Sequence, residues 1–205
     1  MTAQRVVALT AVVAALISAC VSLESVETTR PAIGPKSDLW PWLEAPGVRV
    51  TAHARHARVA SQLVGPGLIV PLPIIPIPVR NDEPGRHFWI DVGIDPEGED
   101  FTLDVRRVRL HLPNRTALAP SVFVGPVMFD LYQNHCGPYR EPERMPAVIA
   151  MTELVCVSLR FDAAPPPTDV KFSLTLDGLT NRGEPVAPLP IPFEQRRFRR
   201  LLWEP

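Results

Sequence analysis

Asp91, Asp95, Glu97, Glu99, Asp100 and Asp104 crowd into one short stretch of the chain. Carboxylates in a loop can hold calcium, but a helix-loop-helix calcium site needs glycine at its sixth position, and a loop starting at Asp95 has Asp100 there. The stretch therefore reads as a solvated turn. Paired carboxylates also serve glycosidases, yet nothing in this spacing sets two of them across a cleft. His53 and His56 are three apart, which gives a common face on a helix and opposite faces on a strand. Cys136, its neighbour His135 and Cys156 lack a fourth ligand at any standard spacing, so no metal and no other cofactor is expected. The chain has no Gly-x-Ser-x-Gly elbow, His-Glu-x-x-His helix, phosphate-binding loop or Gly-x-Gly-x-x-Gly turn, and no catalytic residue is assigned.

Two further sets of residues suit contact rather than catalysis. Trp40 and Trp42 flank Pro41, so an extended backbone turns both indoles to one side, where they stack on a sugar or partner or close the bottom of a core. At the other end, Arg196, Arg197, Arg199 and Arg200 interleave with Phe198, Leu201, Leu202 and Trp203. Such a mixture either lies on an anionic membrane surface or forms a last strand whose arginines meet acidic neighbours. Asn114-Arg115-Thr116 matches a glycosylation acceptor and reads as a turn.

The elements that must hold these residues alternate with a period of two. Every second residue is apolar from Val170 to Asp177 and again from Glu153 to Phe161, the mark of strands with one buried face. Val155, Val157, Leu159 and Phe161 share that face, so Cys156 points the other way with Ser158 and Arg160. His87 to Ile94 and Phe101 to Leu112 read as a strand pair across the acidic turn, with a bulge where the alternation slips in Val105 to Val108. Gly47 to Val64 begins as a strand and continues through alanines that could turn helically. The fold class is all-β, a single immunoglobulin-like β-sandwich of about seven or more strands.

Proline makes up 25 of 205 residues, which argues against a helical domain. In an edge strand alternate N–H groups face solvent, so proline is tolerated at every second position. Pro188, Pro190 and Pro192 keep that spacing and leave Leu189, Ile191 and Phe193 on one face. Pro71 and Pro73, then Pro76 and Pro78, do the same within Val70 to Val79. Both segments are expected at sheet edges.

The N-terminus sets the compartment. Val6 to Ile17 is small and aliphatic apart from Thr10, follows Arg5 and ends in Ile17-Ser18-Ala19-Cys20, too short to span a bilayer. These residues resemble a bacterial lipoprotein signal. The resemblance implies cleavage after residue 19, acylation of Cys20 as the new N-terminus and, because Val21 rather than Asp follows it, delivery to the outer membrane facing the periplasm. Domain boundaries then run 1–19 for the signal, 20–38 for the lipidated cysteine and a flexible tether reaching about 25 Å, and 39–205 for the sandwich. In an oxidising compartment the remaining Cys136 and Cys156 are expected to pair. With Arg5 gone, 20 basic residues face 22 acids, so the mature chain is nearly neutral and no nucleic-acid partner is implied. The expected function is a lipid-anchored, non-catalytic binding or structural module whose partners are the membrane and an envelope protein or glycan. The alternatives are an envelope hydrolase acting on glycan or lipid, whose triad would be scattered along the chain, and an inhibitor or immunity-type lipoprotein with one protein target.

Overall fold

The computed structural model describes residues 20–33, 41–55, 57–66, 75–77, 87–98, 100–113, 117–127, 129–130, 135–136 and 147–204. The signal segment, Trp40, His56 and the Asn114 turn lie outside them. In chain order the strands are β1 (Cys20–Pro31), β2 (Leu43–Ala45), β3 (Val48–Ala54), β4 (Ala57–Pro66), β5 (Ile75–Ile77) and β6 (Phe88–Pro96). Next come β7 (Phe101–Asp104), β8 (Arg109–His111), β9 (Val122–Val127), β10 (Phe129–Asp130), β11 (His135–Cys136) and β12 (Val148–Met151). The last are β13 (Val155–Phe161), β14 (Phe172–Leu176), β15 (Leu179–Asn181), β16 (Glu184–Pro185) and β17 (Leu189–Glu204). A 3-10 turn at Val105–Arg107 is the one helical element among the described residues.

The chain divides into two compact units, one of Met1–Glu27, Ala57–Asp82 and Arg197–Pro205, the other of Thr28–His56 and Glu83–Arg196. The larger unit is an all-β sandwich. One layer is the five-stranded sheet β2-β3-β6-β13-β9; facing it are the four-stranded sheet β12-β7-β15-β16 and the run β17-β14-β8. Alternation in the sequence explains the layers. Val48, Val50, Ala52 and Ala54 of β3, Phe88 to Ile94 at every second residue of β6, and Val155 to Phe161 at every second residue of β13 turn one face inward. They meet Leu103, Ile149, Leu110, Leu174 and Ile191 from the opposite layer, all buried in the same core. Phe172 ties the layers together, stacked 4.6 Å from Phe193 in its own sheet and edge-on at 5.4 Å to Phe88 across the core. Gly47 to Val64 forms the two strands β3 and β4, interrupted at Arg55, so the alanine-bearing continuation is extended instead of helical.

Three local expectations change. β6 and β7 are not a hairpin: β6 pairs with β3 and β13, whereas β7 pairs with β12 and β15, and the acidic turn carries the chain from one layer to the other. Alternation reveals that a strand has a buried face but not which strand lies beside it. The slip at Val105 to Val108 is the 3-10 turn, capped by the Asp104 carboxylate on the Arg106 N–H at 3.1 Å. That turn moves the chain into a third sheet, since β8 pairs with β14. The first part of the expected tether, Cys20–Pro31, is the strand β1, where Val26, Thr28 and Thr29 are buried, while residues 34–38 lie outside the described residues. Short β-branched side chains suit a pleated, half-buried surface better than composition alone suggests.

The prolines answer in two ways. β5 is the outermost strand in the smaller unit's order β5-β4-β1-β17, with Pro76 opposite Leu63, as expected for an edge. β17 is interior, between β1 and β14, so the expectation of an edge fails there. Its length explains why. The proline half bonds β14 through Leu189, Ile191 and Phe193, which are buried, while Pro190 and Pro192 are exposed and present only carbonyls to the other side. There the Pro192 carbonyl accepts the Ala32 N–H at 2.7 Å.

Gly125 lies in a bulge of β9, where the three steps from Val124 to Val127 span the two from Cys156 to Ser158 on β13. Its φ is +134°, and a Cβ there would lie 2.6 Å from the Cys156 carbonyl oxygen and 3.1 Å from the Val157 Cα. Both neighbours are backbone and cannot turn aside. Gly125→Ala should therefore cost about 3 kcal/mol, read as a lower urea midpoint with an unchanged slope.

Candidate functional site

The outer face of the five-stranded sheet is where sequence alternation predicts polar side chains in water. Its middle is buried instead, at Thr51, Asp91, Cys156 and Ser158. Register sets His53, Asp91 and Ser158 side by side across β3, β6 and β13. Asp91 and Ser158 are fully buried. Arg55, just past the end of β3, forks onto the Asp91 carboxylate through Nε at 2.9 Å and Nη2 at 2.8 Å, and Nη2 also reaches the Ser158 hydroxyl oxygen at 3.1 Å. The Ser158 hydroxyl donates to the same carboxylate. The Arg55 guanidinium lies 5.6 Å from the centre of the Trp89 ring, so an aromatic face shields the cation as well.

This cluster contains a serine, a histidine and an aspartate, but in the wrong order for nucleophilic catalysis. A serine nucleophile needs its hydroxyl on the histidine and the carboxylate behind that histidine. Here the carboxylate stands between the two in register, and its two oxygens take two arginine N–H groups and the serine hydroxyl. The arrangement neutralises a buried charge. Arg55 was not among the sequence candidates. The available signal was Asp91 in the middle of a mostly apolar strand, because a buried carboxylate demands a cation or several donors.

Next to the cluster on the same face, Cys136 and Cys156 form a disulfide with Cα atoms 5.3 Å apart. The pairing is as expected, but its surroundings are not a wet outer surface. Both cysteines are buried in a second small core with Trp42, Val127 and Leu154 packed around them. Trp42 thus takes the core-closing role of its two readings, with the Arg49 guanidinium 5.5 Å from its ring centre. Thr51 holds the same segment by donating to the Pro41 carbonyl at 3.0 Å.

One end of the sandwich gathers three turns. Pro46–Gly47 closes the β2–β3 hairpin with Gly47 at φ +74°, and Arg182–Gly183 closes β15–β16 with φ values of +52° and +82°. Positive φ at both central residues is the pattern of a tight hairpin turn that matches strand twist, and arginine seldom occupies its first position. The acidic turn lies between them, tied by Glu97 N–H to the Gly47 carbonyl at 2.8 Å and by Arg182 N–H to the Asp100 carbonyl at 3.0 Å. An open hollow of about 480 Å³ lies beside the first and last of these turns in chain order, lined by Pro46 and by residues between Asn181 and Leu189. Within the acidic turn, Asp95 is bound by Arg49, and its hydrogen bond and charge raise the Arg49 pKa further. Among the described residues, no three His, Cys, Asp or Glu side chains converge as a metal site would require.

At the C-terminus, Arg196 pairs with Glu194 at 3.0 Å and Arg197 pairs with Glu27 on β1. Arg199, Arg200 and Trp203 lie farther along the same strand, β17. No family model, curated protein or solved structure matches this chain.

Three changes test whether the covered face is held as described. Reducing the disulfide, or Cys136→Ser with Cys156→Ser, should lower stability by about 3 kcal/mol, seen as a fall in Tm against the oxidised protein. Ser158→Ala should cost about 1–2 kcal/mol, because it removes one donor from a buried carboxylate that keeps its arginine. Arg55→Ala should cost more, about 3 kcal/mol or above, because Asp91 then loses its cation. Equal losses in urea titrations of these two variants would contradict the assignment of Arg55 as the neutralising charge.

Proposed function

We propose that the chain is a lipid-anchored, extracytoplasmic β-sandwich that binds or supports another envelope component without catalysis. The observation that carries the non-catalytic reading is the mutual engagement of Arg55, Asp91 and Ser158. The serine that stands in register with an aspartate and a histidine is fully buried and gives its hydroxyl to the carboxylate. Support for the compartment comes from the signal-like N-terminus and from the Cys136–Cys156 disulfide, a bond that persists where thiols are not kept reduced. Support for binding comes from the loop end. Turns fixed by backbone hydrogen bonds on a rigid sandwich form a preorganised surface, and preorganisation lowers the entropic cost of association.

Two measurements test the reading. Intact-mass analysis of membrane fractions should find Cys20 acylated and N-terminal, and Cys20→Ala should move the protein out of the membrane pellet. The purified chain should leave peptidoglycan, ester and phosphate substrates unchanged. Turnover that Ser158→Ala or Asp91→Asn abolishes would instead establish the hydrolase.

A further inference from the structure

Resting on the reading of the chain as a non-catalytic binding module, we infer that the five-stranded sheet carries a glycan site on its outer face, at the end away from the acidic turn. It is built from Trp89, His87, Arg160, Asp162 and Ser121. Phe88 and Ile90 on β6, with Leu159 and Phe161 on β13, point into the core, so alternation turns Trp89 and Arg160 to the opposite face. Register then sets them side by side. Arg160 stands opposite Trp89 on one side and Val122 on the other, and beyond Trp89 the Arg55 N–H donates to its carbonyl at 3.0 Å.

One step farther along the strands, a single carboxylate oxygen organises the polar half of the site. Asp162 Oδ1 accepts the Ser121 hydroxyl at 2.8 Å, with His87 Nδ1 at 3.3 Å and Arg160 Nη2 at 3.7 Å, and Arg160 Nε reaches the Ser121 oxygen at 3.4 Å. The Ser121 N–H donates to the Arg160 carbonyl at 2.8 Å, which fastens the serine to β13. All of these contacts fall on one oxygen of Asp162. Among the described residues its Oδ2, His87 Nε2 and Arg160 Nη1 have no hydrogen-bond partner, and the Asp162 and His87 side chains are 60% and 45% exposed. The bonding capacity is left to solvent or a ligand. As at Asp91, the carboxylate stands between serine and histidine, so the serine is not activated as a nucleophile and the site binds without reacting.

The charges and the ring together select the ligand. Arg160 faces Asp162 and Arg55 faces Asp91, so each guanidinium already has its carboxylate and neither a phosphate nor an ammonium finds a net countercharge. What remains is a half-buried indole beside one acceptor and two nitrogen-bearing side chains. A pyranose ring is the complement, because its C–H face packs on an aromatic ring while adjacent hydroxyls donate to a carboxylate and accept from N–H groups. Arg55 lies 5.6 Å from the centre of the Trp89 ring on the β3 side. It restrains the indole, which lowers the entropic cost of binding, and leaves the side toward Arg160 and Asp162 for the sugar.

The experiment titrates the purified, disulfide-bonded full chain by calorimetry with an N-acetylglucosamine tetramer, maltohexaose and a sulfated heparin tetrasaccharide. At least one of the two uncharged oligosaccharides should bind, with a Kd that changes less than about twofold up to about 0.5 M salt. The tetramer alone would mark an amino-sugar glycan, and maltohexaose alone a neutral glucan. Asp162→Ala and Trp89→Ala should each raise Kd about tenfold or more, whereas Trp89→Phe, which keeps an aromatic face, should stay within about threefold. Asp162 is exposed, so its variant tests the site even where Trp89→Ala lowers the urea midpoint. Unchanged affinity in Asp162→Ala, no binding of either uncharged oligosaccharide at about 10 mM, or binding of the heparin fragment alone overturns the site. None of these touches the anchor, which the mass of Cys20 reads separately. Hydrolysis of an oligosaccharide that Asp162→Ala abolishes would overturn the non-catalytic reading and this inference together.

Discussion

Asp91 is a carboxylate without contact with water, and the five-stranded sheet is organised around that fact. An isolated ion moved into a protein interior costs several kcal/mol, and removing one partner of a buried pair is among the most damaging single changes. Asp91 is offset by three donors from two neighbouring segments, Arg55 at the end of β3 and Ser158 on β13. Those donors meet it only in the observed pairing of β3, β6 and β13. Slipping any of the three by one residue would turn Asp91 or its donors toward Phe88, Ile90 and Leu159, where nothing can hydrogen-bond a charge. The apolar face alone already prefers this register, and the buried charge penalises every other one.

The same register places the disulfide. With Ser158 opposite Asp91, Cys156 falls opposite Gly93, one side-chain step along the same face, and Cys136 crosses to it from β11. Among the described residues, the small core there consists of the two cysteines with Trp42, Val127 and Leu154 at its margin. Ordering a backbone residue costs about 1–2 kcal/mol, so such a cluster is a weak hold for the β10–β11 hairpin by itself. A covalent bond that removes loop-closure freedom from the unfolded chain makes up the shortfall. The covered face is thus a consequence of oxidation as much as of hydrophobic burial.

Much of this architecture was legible in sequence wherever a single strand carried its own information. The buried faces of β3, β6, β13, β14 and β17 follow from alternation, and the cysteine pair was expected from the signal-like N-terminus and the two cysteines left beyond it. What escaped was pairing between elements distant in sequence. Phe101 to Asp104 alternates perfectly, and that says nothing about whether its neighbour is β6 or β12. Arg55 was invisible for a related reason, because it lies 36 residues from Asp91 in a segment whose own pattern was ambiguous. The tether was misread because Glu, Thr and Ser signal solvent by composition, whereas Thr28 and Thr29 are buried once β17 lies beside them.

β17 shows how one strand can obey two sheet rules in succession. Its first half spends alternate positions on proline, which removes donors from one side and leaves the other side to bond β14. A strand of only that half would be the edge that the spacing implies. The second half has no proline and full donor capacity, so it accepts β1 as a neighbour, with Arg197 and Glu27 pairing across the strands. The change from proline to arginine along one strand therefore coincides with a change of neighbour, and with the passage of the chain from the larger unit to the smaller at residue 197. Proline spacing thus reports which side of a strand lacks donors, not whether that side is bonded, since the Pro192 carbonyl still accepts the Ala32 N–H.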